Sequence, residues 1–267
     1  MTTADDPIAR TLAVSGLVNI RDLGGLPTVD GLHVAQRRII RSDNLVGLDE
    51  VGVEAMLQEL GVRLIIDLRT ARECEREGGP PHDLSGVRYV NKALEPQSAL
   101  NDADVAAGKA TNLLDDYLAH LRISGHILLE SFEMLVAPDA LPAVVHCTVG
   151  KDRTGIFVAL LLDLLGVEPE SIVADYAATA PNMTVILERI RASEFFQENG
   201  LAAAPEWIFE APPETMRTFL QRLHEQFGGA LGWARQHGMT DATIAALRSA
   251  LLEPRMPNRQ ADTTPPQ

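Results

Sequence analysis

The chain is short of three things. Only two of its 267 residues are cysteine, Cys74 and Cys147. That is too few for a disulfide framework, and two thiolates alone do not make an ordinary zinc–cysteine site. Basic residues are outnumbered, 23 Lys and Arg against 37 Asp and Glu, for a net charge of −14. Such a balance argues against a broad surface for nucleic acid or anionic lipid, while leaving room for a small basic pocket. Long apolar runs are missing too: LLLDLL is short and broken by Asp163, so no transmembrane segment is expected. The start, MTTADDPIAR, shows no basic stretch ahead of an apolar core, hence no Sec-type signal. These absences make a cytoplasmic protein the expectation, with signal-less secretion left open.

What is present points to one folded unit spanning 1–267. Residues 1–15 and the proline-rich tail 255–267 are expected to be flexible. The middle alternates strand and helix patterns. RRIIRS (37–42), VRLIIDLR (62–69), VRYVNKAL (87–94) and PAVVH read as strands. LDEVGVEAMLQELG, the span 113–136 and TGIFVALLLDLLG read as helices, with Gly61 placed to stop the first and Gly125 interrupting the second. The third is apolar nearly all round, which places it centrally. The last third is helical, over 183–198, 214–227 and 240–252, and AAAPEWIFEAPPE forms an extended connection between the first two. The expected fold is α/β, a central and mostly parallel sheet flanked by helices, with a C-terminal helical part.

The reactive chemistry is concentrated in HCTVGKDRTG, His146 to Gly155. A strand, a glycine-containing loop and a helix N-terminus form an anion site, because the first helical N–H groups have no internal partner and carry the positive end of the dipole. Gly150 lets the loop curl so that the amides of Thr148, Val149, Gly150, Lys151 and Asp152 point inward. Arg153 adds a planar fork of donors suited to two phosphate oxygens. The same charges stabilise a thiolate at Cys147 facing the bound phosphate, which is the arrangement for attack on phosphorus through a phosphocysteine.

The whole string is more specific than a Cys and an Arg five residues apart. HCxxGKDRTG, with NIRDLGG (Asn19 to Gly25) and IIDLR (Ile65 to Arg69), resembles the bacterial protein tyrosine phosphatase B family of cysteine-dependent phosphatases over roughly residues 15–253. The ending GMTDATIAALRSALL also matches. Ile20 stands where that family often has an aromatic. The resemblance implies hydrolysis of phosphotyrosine, with phosphoserine, phosphothreonine and phosphoinositides as further substrate classes. It implies no metal or other cofactor, no nucleic-acid partner, and inhibition by phosphate or vanadate. It also implies a helical lid, for which 181–213 is the candidate, an ordinary packed helix being the alternative.

The resemblance assigns the acid that protonates the leaving group to the Asp inside the loop, Asp152. Like charges on the thiolate and phosphate favour its protonated form, while Lys151 and Arg153 pull the other way. Asp67, at the end of a buried strand, is the rival, or else positions the loop or forms a salt bridge with Arg69. Thr154 is expected to donate to the sulfur or to cap the helix, and His146 to orient the loop and keep the thiolate charged. Lys151 at the pocket mouth is what makes phosphoinositide activity credible. Arg21 and Asp22 are expected to brace the phosphate loop, and Cys74, in ARECERE, to be a surface residue, the alternative being a second thiol that protects Cys147 by disulfide if the fold brings the two together. Three other classes fit less well. A rhodanese-like sulfurtransferase gives no reason for GKDRTG. A nucleotide P-loop needs Gly where Val145 stands and Ser or Thr where Asp152 stands. A catalytically weak phosphate-binding module has no need of an intact Cys147, Asp152 and Arg153.

Overall fold

A computed structural model describes residues 10–80, 84, 86–95, 113–191 and 209–254. Five strands form the central sheet: β1 (Arg21–Asp22), β3 (Ile39–Ser42), β4 (Leu64–Asp67), β5 (Arg88–Asn91) and β6 (Ala143–His146). Their order is β1-β3-β6-β4-β5, and every pairing is parallel except β1 with β3. β2 (Leu32–Val34) pairs separately with β7 (Leu252–Pro254), antiparallel.

The three inner strands are short apolar runs buried on both faces, as parallel strands require. Ile39, Leu64, Ile66 and Val145 enter one core cluster, whereas Ile40, Ile65 and Val144 enter the other. The register sets Ser42 and Asp67 on either side of His146. The carboxyl ends of β3, β4 and β6 therefore finish level, where α/β sheets gather their ligand sites.

The helices are α1 (Glu50–Glu54, continued by a π turn over Ala55–Glu59), α2 (Ala71–Glu77), α3 (Leu113–Ile123), α4 (Gly125–Leu135) and α5 (Asp152–Leu165). Then come α6 (Pro169–Ala177), α7 (Met183–Arg191), α8 (Pro213–Phe227), α9 (Gly229–Gln236) and α10 (Asp241–Leu251). α5 is the central helix expected from its all-round apolar sequence, buried from Thr154 through Leu162, and Gly166 ends it in the left-handed region. The helix expected over 113–136 is two, because Ser124 leaves helical geometry at φ −98°, ψ 10°. Gly125 is needed there because a β-carbon would lie 2.2 Å from the His237 ring.

Residues 10–15, inside the stretch expected to be flexible, make contacts with the body. Leu12 N–H donates to the Ile20 carbonyl, Val14 is buried, and Arg10 reaches Asp175 on α6. A buried carboxylate holds this segment down by its need for positive partners. Most of the candidate lid, residues 192–208, lies outside the described residues, as do the tail 255–267 and residues 1–9. Within 181–213, α7 is described, and its Met183 and Ile186 are buried. Among the described residues no helix is long and apolar enough to cross a membrane.

Candidate active site

The loop between β6 and α5 begins at Cys147, which is 2% exposed. The Gly150 N–H donates to Cys147 Sγ at 3.3 Å. Gly150 has φ +72°, and a β-carbon there would lie 2.3 Å from the Ser42 carbonyl oxygen. Glycine alone meets both conditions.

Side chains from the N-terminal third hold the loop from behind. Asn19 Nδ2 donates to the Val149 carbonyl at 3.0 Å and lies 3.4 Å from that of Gly150. Arg41 Nη2 donates to the Gly150 carbonyl at 2.6 Å, and Asn44 N–H donates to the Thr148 carbonyl at 3.1 Å. With these carbonyls engaged outside the loop, the Gly150 amide is turned to the sulfur.

Arg41 is itself anchored by Asp175, which also accepts from Arg10 and Arg21 at 2.6 to 3.1 Å. Burial disfavours the Asp175 carboxylate, yet the three guanidiniums outweigh it and hold the group far below the usual carboxylate range. Burial and the neighbouring Arg41 charge pull Arg21 down to about 10. Three arginines thus share one carboxylate behind the loop. Arg21 also donates to Asn19 Oδ1 at 2.6 Å, and Asp22 accepts from the backbone N–H groups of Gly24 and Arg37. Arg21 and Asp22 thus sit in the bracing framework.

Arg153 is gripped by Glu73: Nη1 to Oε2 at 2.5 Å and Nη2 to Oε1 at 2.7 Å, with Thr148 Oγ1 at 3.3 Å from Nη2. The Thr148 hydroxyl donates to the same carboxylate at 2.6 Å. Burial alone would raise Glu73, but Arg153 and Thr148 bring it down to about 2. Glu73 was missed in the sequence, hidden in a charged run. Its signal is the capping box it forms with Thr70 at the start of α2.

Several expectations change. Asp67 is fully buried and accepts from Arg69 Nε and Nη2 and from the Tyr89 hydroxyl. Burial opposes its ionisation, but the neighbouring His146, then Arg69 and the Tyr89 hydroxyl, hold it well below the carboxylate range. The salt bridge with Arg69, expected as its other role, is present. Cys74 is half-buried, not a plain surface residue, with Sγ 3.6 Å from both Asp67 Oδ2 and Asn91 Nδ2. Lys151 is not at a pocket mouth. Its side chain is buried, with Nζ donating to the Glu210 carbonyl at 2.9 Å and lying 3.4 Å from Asp152 Oδ1. The N-cap of α5 is Lys151, so Thr154 does not cap it. The Thr154 hydroxyl is instead buried with no hydrogen-bond partner among the described residues.

His146 is buried, with Nδ1 3.2 Å from the Cys147 carbonyl and Nε2 3.7 Å from Asp67. Burial depresses its protonation. Asp152 opens α5 half-buried, and its Oδ1 accepts from the Tyr117 hydroxyl at 2.6 Å. Arg41, Asp175, Tyr117 and Tyr176 were also missed. Among the described residues no group of three or more His, Cys, Asp or Glu side chains is placed to hold a metal ion.

A buried cysteine at the carboxyl end of a parallel strand, in a loop closed by an arginine at the next helix, defines a cysteine-dependent phosphatase. The chain belongs to the tyrosine phosphatase family, whose model matches residues 12–253, and it is a hydrolase. It is 27% identical to the triple specificity protein phosphatase PtpB of Mycobacterium tuberculosis, over 89% of this chain and 97% of that protein. It is 29% identical to a tyrosine-protein phosphatase of Nostoc commune, over 79% of this chain and 73% of that protein. Among solved structures, the catalytic domain of the PP-IP phosphatase Siw14 of S. cerevisiae aligns with a TM-score of 0.40 at 16% identity, covering 73% of this chain and 98% of that one. TpbA of P. aeruginosa in complex with pTyr aligns at 0.33 and 17%, covering 65% and 90%. Neither superposition is close enough to carry a residue correspondence.

Proposed function

We propose that this phosphatase hydrolyses phosphotyrosine, with Cys147 as nucleophile, Arg153 as phosphate clamp and Asp152 as acid and then base. The Gly150 N–H on Cys147 Sγ, in a loop whose carbonyls are engaged from outside, carries this reading. That geometry supports a thiolate and presents amide donors to a phosphate. A sulfur 2% exposed favours a phosphate carried on a long aryl arm over one on the short phosphoserine side chain.

In the first step the Cys147 thiolate attacks phosphorus, the P–O ester bond breaks, and the Asp152 carboxyl gives its proton to the departing oxygen. In the second, water attacks the phosphocysteine while the Asp152 carboxylate takes its proton. The S–P bond breaks, phosphate leaves, and the Thr154 hydroxyl is available to stabilise the returning thiolate. Arg153, oriented by Glu73, and the loop amides hold the equatorial oxygens throughout. His146, neutral and between Asp67 and the Cys147 carbonyl, positions the loop.

The mycobacterial relative is named for triple specificity, which supports testing phosphoserine, phosphothreonine and phosphoinositides beside phosphotyrosine. The buried position of Lys151 weakens the electrostatic case for phosphoinositides. A kinetic panel of the three classes, with Cys147→Ser as blank, tests the reading. Cys147→Ser is expected to abolish turnover while still binding vanadate, and phosphotyrosine peptides to give the highest kcat/KM. Residual wild-type turnover removes the nucleophile assignment; a phosphoinositide or phosphoserine preference removes the substrate assignment.

A further inference from the structure

Two phenols stand behind the loop acid without a part in the chemistry so far. Tyr117 on α3 and Tyr176 on α6 are both buried, with their hydroxyls 3.0 Å apart. The Tyr117 hydroxyl is 2.6 Å from Asp152 Oδ1. A phenol has one proton to donate, and a carboxylate only accepts. Tyr117 therefore gives its proton to Asp152, and Tyr176 donates to the Tyr117 oxygen. The chain runs one way: Tyr176, Tyr117, Asp152.

Packing holds the chain in place. The Tyr117 ring meets Tyr176 and Phe219 edge-on, at centroid separations of 6.3 and 5.9 Å. Tyr176 lies so close over α5 that a β-carbon on Gly155 would come within 3.2 Å of its ring. Burial, and then the Asp152 charge, keep both phenols protonated well above their ordinary range. The hydroxyls are donors at any working pH.

The effect falls on one oxygen of the acid. Oδ1 accepts from Tyr117 and lies 3.4 Å from Lys151 Nζ, whereas Oδ2 has no hydrogen-bond partner among the described residues. A carboxyl with a hydroxyl donor and a cation on one oxygen carries its own proton on the other. We propose that Tyr117, backed by Tyr176, is a positioning residue that confines the transferable proton of Asp152 to Oδ2 and fixes that oxygen toward the leaving group. This rests on Asp152 being the acid. The other charged or titratable groups acting on the carboxyl are Lys151, Arg153 and His120 on α3, and none of them replaces a hydroxyl on Oδ1.

Tyr117→Phe keeps the ring and removes the donor. Turnover of phenyl phosphate, a poor leaving group, is expected to fall about tenfold, and that of an activated dinitrophenyl ester by less than about twofold. The basic limb of kcat/KM moves to higher pH, because the carboxylate has lost a hydrogen bond. Tyr176→Phe shifts both readouts the same way by less. Uniform loss across leaving groups with an unmoved basic limb overturns the proposal, as does no loss at all. Asp152→Asn in the same panel separates the two layers. If it shows no leaving-group dependence, the acid assignment itself fails; if it does and Tyr117→Phe does not, only the positioning role fails. The double variant must match Asp152→Asn alone, and an additive loss overturns the proposal. Should Tyr117→Phe lose vanadate binding, Tyr176→Phe decides, since its leaving-group dependence must still steepen.

Discussion

Glu73 determines what Arg153 has left for substrate. Of the five N–H donors of a guanidinium, three are engaged by Glu73 and Thr148, so the remaining two are aimed before a phosphate arrives. Glu73→Gln is expected to raise KM about tenfold with little change in kcat, since a clamp that serves ground state and transition state alike is uniform binding. It also carries a stability signature. The folded state holds Glu73 at about 2 against an ordinary 4.5, so its contribution is present above pH 4.5 and is lost as pH falls toward 2. Urea titrations should therefore show the wild type losing more stability between pH 6 and pH 3 than Glu73→Gln loses. Neither role was legible in ARECERE, where Glu73 looks like its neighbours. Cys147 and Arg153 were legible because strand, loop and helix surround them in sequence as well as in space. Lys151 was misplaced because sequence spacing fixes its position in the loop but not the direction of its side chain.

At the scale of elements, the inner strands and α5 were readable from apolar runs bounded by turn residues. α6 was not, although Pro169 at its first turn and the spacing of Ile172, Val173 and Tyr176 mark it. That omission concealed the element that anchors the site, since α6 supplies both Asp175 and Tyr176. No local pattern tells that one carboxylate will meet three arginines from distant segments. Asp175→Asn leaves Arg10, Arg21 and Arg41 facing one another in a buried site. Breaking a buried charge cluster in this way typically costs about 3–5 kcal/mol, and the loss is read from the urea midpoint at constant slope. A change under about 1 kcal/mol would mean that solvent reaches the cluster.

Across the whole molecule, the acidic excess lies outside the buried residues, whose described charges balance, five cations against five carboxylates. The chain carries a net −14, yet the Asp175 cluster behind the phosphate loop joins three arginines to one carboxylate. The overall balance was legible in the composition; the local excess was not, because it depends on which residues the fold brings inward. Surface charge is screened by salt over about 10 Å at 0.1 M, and buried charge much less. Raising sodium chloride from about 10 to 150 mM is therefore expected to increase kcat/KM for a small aryl phosphate by up to about threefold, as repulsion by the surface is screened. A phosphopeptide flanked by lysines should respond in the opposite direction. Parallel responses from the two substrates would show that the cavity, not the surface, governs approach.

The grip of Asn19 and Arg41 on the loop carbonyls bears on transplantation. A ten-residue cassette, HCTVGKDRTG, moved into another strand–helix junction would bring its nucleophile, its arginine and its glycine. It would leave behind the amide side chain and the guanidinium that turn the peptide planes, the Ser42 carbonyl against which Gly150 fits, and the Glu73 carboxylate that aims the arginine. The smallest portable unit of this chemistry is thus a set of contacts spread from residue 19 to residue 176, not a contiguous peptide.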